Sequence, residues 1–271
     1  MTVSATAAAF EGFRVTRQHP VAVMVWAVVW LVGLIVMMAA SLPFVAPYMG
    51  EIIATGGDPD ALSVAAASSI QRAGLTFIPV ALVLQGLLSP AVYRAVLCPD
   101  EKRNAFLRLG ADEGRVLVVA LVAGGVSFAL NLGGMWLESW AMQTMGLVAQ
   151  LFVSLVVFIV LVIVGVRLSL IAPMTFMKRR LAFREGWSAS GKLFWPLLGI
   201  SVLALAMAAV VGMLLLVIAL PLQAASAGQA ASPGSAIVAL LMLALMPFGA
   251  ALVATILWAP FAAMCRELSE D

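Results

Sequence analysis

"LFVSLVVFIVLVIVGVRLSLIAPMTFMKRR", residues 151–180, decides the fold. An apolar run carries a single charge, Arg167, reaches Pro173 and then meets Lys178, Arg179 and Arg180. A helix needs about 20 apolar residues to cross a bilayer core, and this run supplies them. The basic triplet has two readings. It is a site for an anionic ligand, or it anchors this end of the helix on one side of a membrane.

The rest of the chain has the same character. Of 271 residues, 64% are hydrophobic and 10% are charged, and the mean hydropathy is +1.12. Soluble domains carry roughly 25% charged residues, so an integral membrane protein is expected. A net charge of +2 is too small to argue for a nucleic-acid partner. Cys98 and Cys265 are too few for a disulfide framework. With one histidine, His19, they leave little for a metal site, so neither metal nor cofactor is expected.

Six apolar runs qualify as spans: about 21–42, 74–97, 115–137, 147–172, 193–219 and 236–262. The first is longer than the roughly 7–15 residues of a signal-peptide core, so it reads as a retained helix. Pro79 and Pro247 fall inside the second and sixth spans and are expected to kink them. Basic residues collect on alternate sides. Arg14 and Arg17 precede the first span. Arg94, Lys102, Arg103, Arg108 and Arg115 lie around the second connection, and Lys178, Arg179, Arg180, Arg184 and Lys192 around the fourth; Arg266 follows the sixth span. The other connections hold Arg72 and four acids, Glu51, Asp58, Asp60 and Glu138. This is a positive-inside pattern and places both termini in the cytoplasm. Trp136 and Trp140 then fall at the outer boundary, and Trp187 and Trp195 at the inner one, where such rings favour the headgroup level. Trp26, Trp30 and Trp258 sit deeper and read as packing residues.

The opening stretch has an echo. Ala172-Pro173, Met177 and Arg179 recur at identical spacing as Ala259-Pro260, Met264 and Arg266; Ser89-Pro90 and Tyr93-Arg94 form a looser version. Just downstream, "RNAFLRLGADEGR" (103–115) aligns without a gap on "RLAFREGWSASGK" (180–192). A fainter match, Ala9-Phe10-Glu11-Gly12-Phe13, precedes the first span. The chain therefore reads as three units. Each has a short amphipathic segment, a span out, a span back, and a proline near its inner end (Pro90, Pro173, Pro260) that ends or bends the returning helix. The segments 103–115 and 180–192 are expected to be short helices lying in the interface.

The stretch 166–200, "VRLSLIAPMTFMKRRLAFREGWSASGKLFWPLLGI", resembles the membrane domain associated with glycerophosphoryl diester phosphodiesterases and related bacterial six-helix membrane proteins. The carrying residues are Arg167, Pro173, Phe183, Trp187, Lys192 and Trp195-Pro196. Cys265 stands where the pattern would have a Tyr. The resemblance implies the membrane module only, in a bacterial inner membrane, and transfers no catalytic residue.

Candidate residues follow. An intramembrane Arg costs at least about 2.5–3.5 kcal/mol at the bilayer centre, and Arg167 lies about 9 Å inside Pro173 along a helix. It contacts an anion, or it snorkels and pairs within the bundle. Lys178, Arg179, Arg180 and Lys192 are the other lipid- or anion-contact candidates. Gln85 and Asn131 line a path or make interhelical hydrogen bonds. Glu138 reads as a loop acid. Asp100 and Glu101, and again Asp112 and Glu113, read as a solvated, ion-paired face rather than as catalytic pairs. No phosphate-binding GxxxxGK[ST] loop occurs. Gly124-Gly125 and Gly133-Gly134 read as close-packing positions.

The expectation is an all-α integral membrane protein: six transmembrane helices in three hairpin-like repeats (about 9–97, 99–172 and 178–266) within one membrane domain, residues 1–271. Its expected role is a non-catalytic module binding membrane lipids, or another membrane or cytoplasmic protein, at its cytoplasmic rim. The alternative is a small transporter or channel, with Arg167, Gln85 and Asn131 facing one cavity.

Overall fold

The computed structural model describes residues 5–101, 103–226 and 233–270, and these hold helices and no strand. Two short helices come first, α1 (Ala5–Ala9) and α2 (Glu11–Gln18). Then follow α3 (Pro20–Val45), α4 (Met49–Ala54), α5 (Val64–Leu97), α6 (Ala111–Met145), α7 (Leu147–Leu168), α8 (Ile171–Lys178), α9 (Phe183–Lys192), α10 (Phe194–Ser226) and α11 (Pro233–Glu270). Six helical segments are long and apolar enough to cross a membrane, built on α3, α5, α6, α7, α10 and α11. The chain is a multi-pass membrane protein.

Local sequence sets the boundaries. Pro20 opens α3, where its missing N–H costs nothing. Ser63 caps α5 by accepting from the Ala66 N–H at 3.2 Å. The Glu51 carboxylate receives the Ser63 N–H and hydroxyl, tying α4 to that cap. α6 turns into α7 at Gly146 alone, whose φ of +82 suits glycine.

Consecutive long helices pack together as α3 with α5, α6 with α7, and α10 with α11. Burial is lopsided. The ends of α5, α8 and α11 that carry the basic residues pack on one another and hold much of the core, with Val92, Val96, Ala259, Ala262 and Met264 inside and Leu170, just before α8, beside them. The far halves are open: the most apolar stretch of α7 has no buried residue, and Val148, Met213 and Leu240 are exposed. Apolar surface on this scale is tolerable only against lipid or another apolar surface.

Three expectations change. First, 103–115 is not an interfacial helix. Residues 103–106 make a tight turn with Asn104, Ala105 and Phe106 at φ of 52, 53 and 65, and α6 begins only at Ala111. The left-handed path is held from outside. Trp26 Nε1 donates to the Ala105 carbonyl at 2.9 Å, and Arg94 donates to the Phe106 carbonyl. The Phe106 ring is buried, with His19 edge-on at 5.1 Å. These long-range bonds replace the ones a helix would make. The segment 180–192, in contrast, does form a helix, α9.

Second, the prolines do not end the returning helices. Pro90 and Pro260 lie inside α5 and α11, as do Pro79 and Pro247. At the fourth span the break comes earlier, at Ser169–Leu170, and Pro173 sits in the first turn of α8, where no N–H is required. Third, Glu138 is not in a loop: α6 continues through it to Met145.

Candidate functional site at the basic end of the bundle

The sequence contains three Glu-Gly dipeptides, Glu11-Gly12, Glu113-Gly114 and Glu185-Gly186. All three glutamates lie in the first turn of a helix, α2, α6 and α9, where the helix dipole favours a carboxylate. Each pairs with a base that follows one of the prolines. Glu113 pairs with Arg94 of α5. Glu185 pairs with Lys178 of α8 and, at 2.5 Å, with Arg180. Glu11 pairs with its neighbour Arg14 and lies 3.6 Å from Arg266 of α11. The last pair joins the beginning of the bundle to its final helix.

Two of the glycines are there for contact. A Cβ on Gly12 would fall 2.6 Å from Ile256 Cα, and one on Gly186 would fall 2.8 Å from Ile171 Cα. So α2 and α9 press their backbones onto α11 and α8. Gly114 faces open space. Among the paired glycines of α6, Gly134 packs on Val157 and Gly124 touches Leu82, while Gly125 and Gly133 are open.

Arg94 and Glu113 are the buried pair, 4% and 7% exposed. The Arg94 guanidinium also lies 5.2 Å from the centre of the Phe176 ring. Glu113 is thus not a solvated acid. Its neighbour Asp112 pairs with Arg115 at 2.5 Å, and Glu101 pairs with Arg108 at 2.9 Å on the surface. The Arg94 connection escaped sequence reasoning, although the recurring Glu-Gly dipeptide was a visible signal.

Arg167 closes the fourth span. Its guanidinium stacks 5.5 Å from the Trp187 ring centre and donates to the Trp187 carbonyl at 3.3 Å, against the bare backbone of Gly191. The Arg167 carbonyl accepts from the Ser190 hydroxyl at 2.8 Å. This residue clamps α9 onto α7. Lys178 and Arg180 are occupied by Glu185, whose carboxyl is held below its ordinary value, first by the Lys178 hydrogen bond. Arg179 takes a left-handed conformation and, like Lys192, is exposed with no ion pair among the described residues. Gln85 and Asn131 lie on exposed faces of α5 and α6, and Asn131 donates to the Ser127 carbonyl at 2.8 Å. Neither shares a cavity with Arg167 among the main cavities.

Several aromatic side chains stand exposed near these charges: Phe10, Phe13, Trp187 and Trp195, the last 77% exposed. Trp26 is fully buried, and Trp30 and Trp258 pack against the core. No family model, curated protein or solved structure matches this chain.

Proposed function

We propose that this protein is a non-catalytic membrane module whose basic end binds anionic phospholipid at the cytoplasmic face of a bacterial inner membrane. The observation that carries this reading is the surplus of exposed cations beside exposed aromatic rings. Arg17, Arg179, Arg184 and Lys192 have no ion pair among the described residues, and Trp187 and Trp195 are exposed on the neighbouring elements. Tryptophan favours the headgroup level, and each cation there gains about 1 kcal/mol from anionic lipid. The alternation of basic and acidic connections along the sequence supports the cytoplasmic placement of this end and of both termini. The recurring Glu–base pairs support three repeat units, and the resemblance of residues 166–200 to the phosphodiesterase-associated membrane domain supports a module rather than an enzyme.

Purification from a membrane containing neutral and anionic phospholipids tests the reading. The protein should retain anionic lipid in excess of its share of the membrane. The double variant R179N/K192Q should lose much of that excess. Retention in proportion to bulk composition, or an excess untouched by the double variant, would overturn it.

A further inference from the structure

A cavity of about 390 Å³ opens at the basic end, where the ends of α5, α8 and α11 meet the start of α6. Four arginines line it: Arg94, Arg108, Arg179 and Arg266. They differ in what they have left to give. Arg94 is consumed by Glu113, the Phe106 carbonyl and the Phe176 ring, and forms the floor. Arg266 holds the Val96 carbonyl at 3.1 Å and approaches Glu11. Arg108 has one partner, Glu101, and stays half-exposed. Arg179 has no ion pair or side-chain hydrogen bond among the described residues. The acids in the lining are each answered by an arginine: Glu101 by Arg108, Asp112 by Arg115 and Glu113 by Arg94. Positive charge is left over.

We infer that this cavity is a phosphate-binding site, with Arg179, Arg108 and Arg266 as the ligand-facing cations. Guanidinium forks match the oxygens of phosphate in paired hydrogen bonds. The volume lies near the lower end of small-ligand sites, so the cavity takes a phosphate group and not a whole lipid. That group comes from a phosphomonoester headgroup in the membrane or from a free phosphate compound in water. The inference rests on the reading of this end as an anion-binding face, and narrows it to one pocket.

Cys98 supplies a reporter, because its half-buried thiol lines the same cavity. Burial pushes that thiol up and Glu101 adds to the effect, while Arg94, Arg179 and Arg108 pull it down. A bound phosphate both covers the thiol and offsets those cations. The other cysteine, Cys265, is buried.

The experiment measures maleimide labelling of Cys98 on the full chain in neutral phosphatidylcholine nanodiscs, with C98S as background. One arm titrates inorganic phosphate against chloride of equal ionic strength. The other adds phosphatidic acid to the nanodisc. A several-fold, saturable slowing is expected in at least one arm, and R179N, whose new side chain accepts the left-handed backbone, should abolish it. Slowing by phosphate in water assigns the free compound; slowing by phosphatidic acid alone assigns the headgroup. No slowing in either arm, equal slowing by chloride, or full slowing in R179N overturns the site. Excess anionic lipid retained without Cys98 protection would fail the pocket alone. Protection without that excess would fail the broader reading alone.

Discussion

Arg94 and Glu113 meet inside the protein from two different helices, and the arginine holds the Phe106 carbonyl with the same guanidinium. One side chain thus neutralises the start of α6 and fixes the turn that leads into it. Removing one member of a buried pair strands the other and costs about 3–5 kcal/mol, whereas replacing both with apolar residues is often neutral. R94M or E113Q alone should lower thermal unfolding in detergent sharply. The double variant R94M/E113L should be less damaged than the sum of the singles, although the Phe106 carbonyl still loses its donor. Singles within about 1 kcal/mol of the parent, the size expected of a surface pair, would show that the pair carries little weight.

The three Glu-Gly dipeptides make a contrast test. Gly12 and Gly186 sit against backbone, so G12A and G186A should each destabilise by about 1–3 kcal/mol, as overpacking does. Gly114 faces open space. G114A should be neutral or stabilising by up to about 1 kcal/mol through helix propensity. Equal losses at all three positions, read by unfolding midpoints, would refute the close-contact account.

Arg167 stacks on Trp187 instead of opening into a cavity. R167K keeps the charge and loses the planar stack and fork. It should lower stability by about 0.5–2 kcal/mol, the range for a cation over an aromatic face. Anionic lipid retention should be unchanged. A variant with parental stability and depleted lipid would reverse the assignment, making Arg167 a lipid contact.

The Glu185 carboxyl lies below its ordinary value near 4.5 because Lys178 and Arg180 stabilise its ionised form. A depressed folded value means the stabilisation is present above about pH 4.5 and is lost as pH falls through the folded value. E185Q should therefore narrow its stability gap to the parent as pH is lowered below 4.5. A gap that stays constant across that range would exclude the carboxylate as its source.

The spans were legible because a bilayer imposes length and apolarity; five of the six runs fall on a single long helix, and the fourth follows α7 across the break at Ser169–Leu170 into α8. The echo of Ala172-Pro173 in Ala259-Pro260 was also informative: both segments belong to the helix ends that pack together, along with Pro90. What the sequence concealed was the path of residues 103–110. Their apolar spacing fits an amphipathic helix, but Trp26 of α3 and Arg94 of α5 claim two of their carbonyls. Glu113 was misread for the same reason. Its charged neighbours suggest water, and only the folded course of α5 brings Arg94 to it. Arg167 was visible as the lone charge in its span, but its partner Trp187 lies on a helix whose placement no local pattern specifies.

The contact between Glu11 and Arg266, with Gly12 seated on Ile256, has a bearing on biogenesis. Synthesis makes α2 well before its seat on α11. Without α11, α2 lacks the helix on which most of its buried face packs and keeps only α1, α3 and α5, whereas the other two Glu–base pairs join residues closer in the chain. A chain lacking α11 is therefore expected to expose α2 to a protease that the packed bundle resists, which limited proteolysis would read.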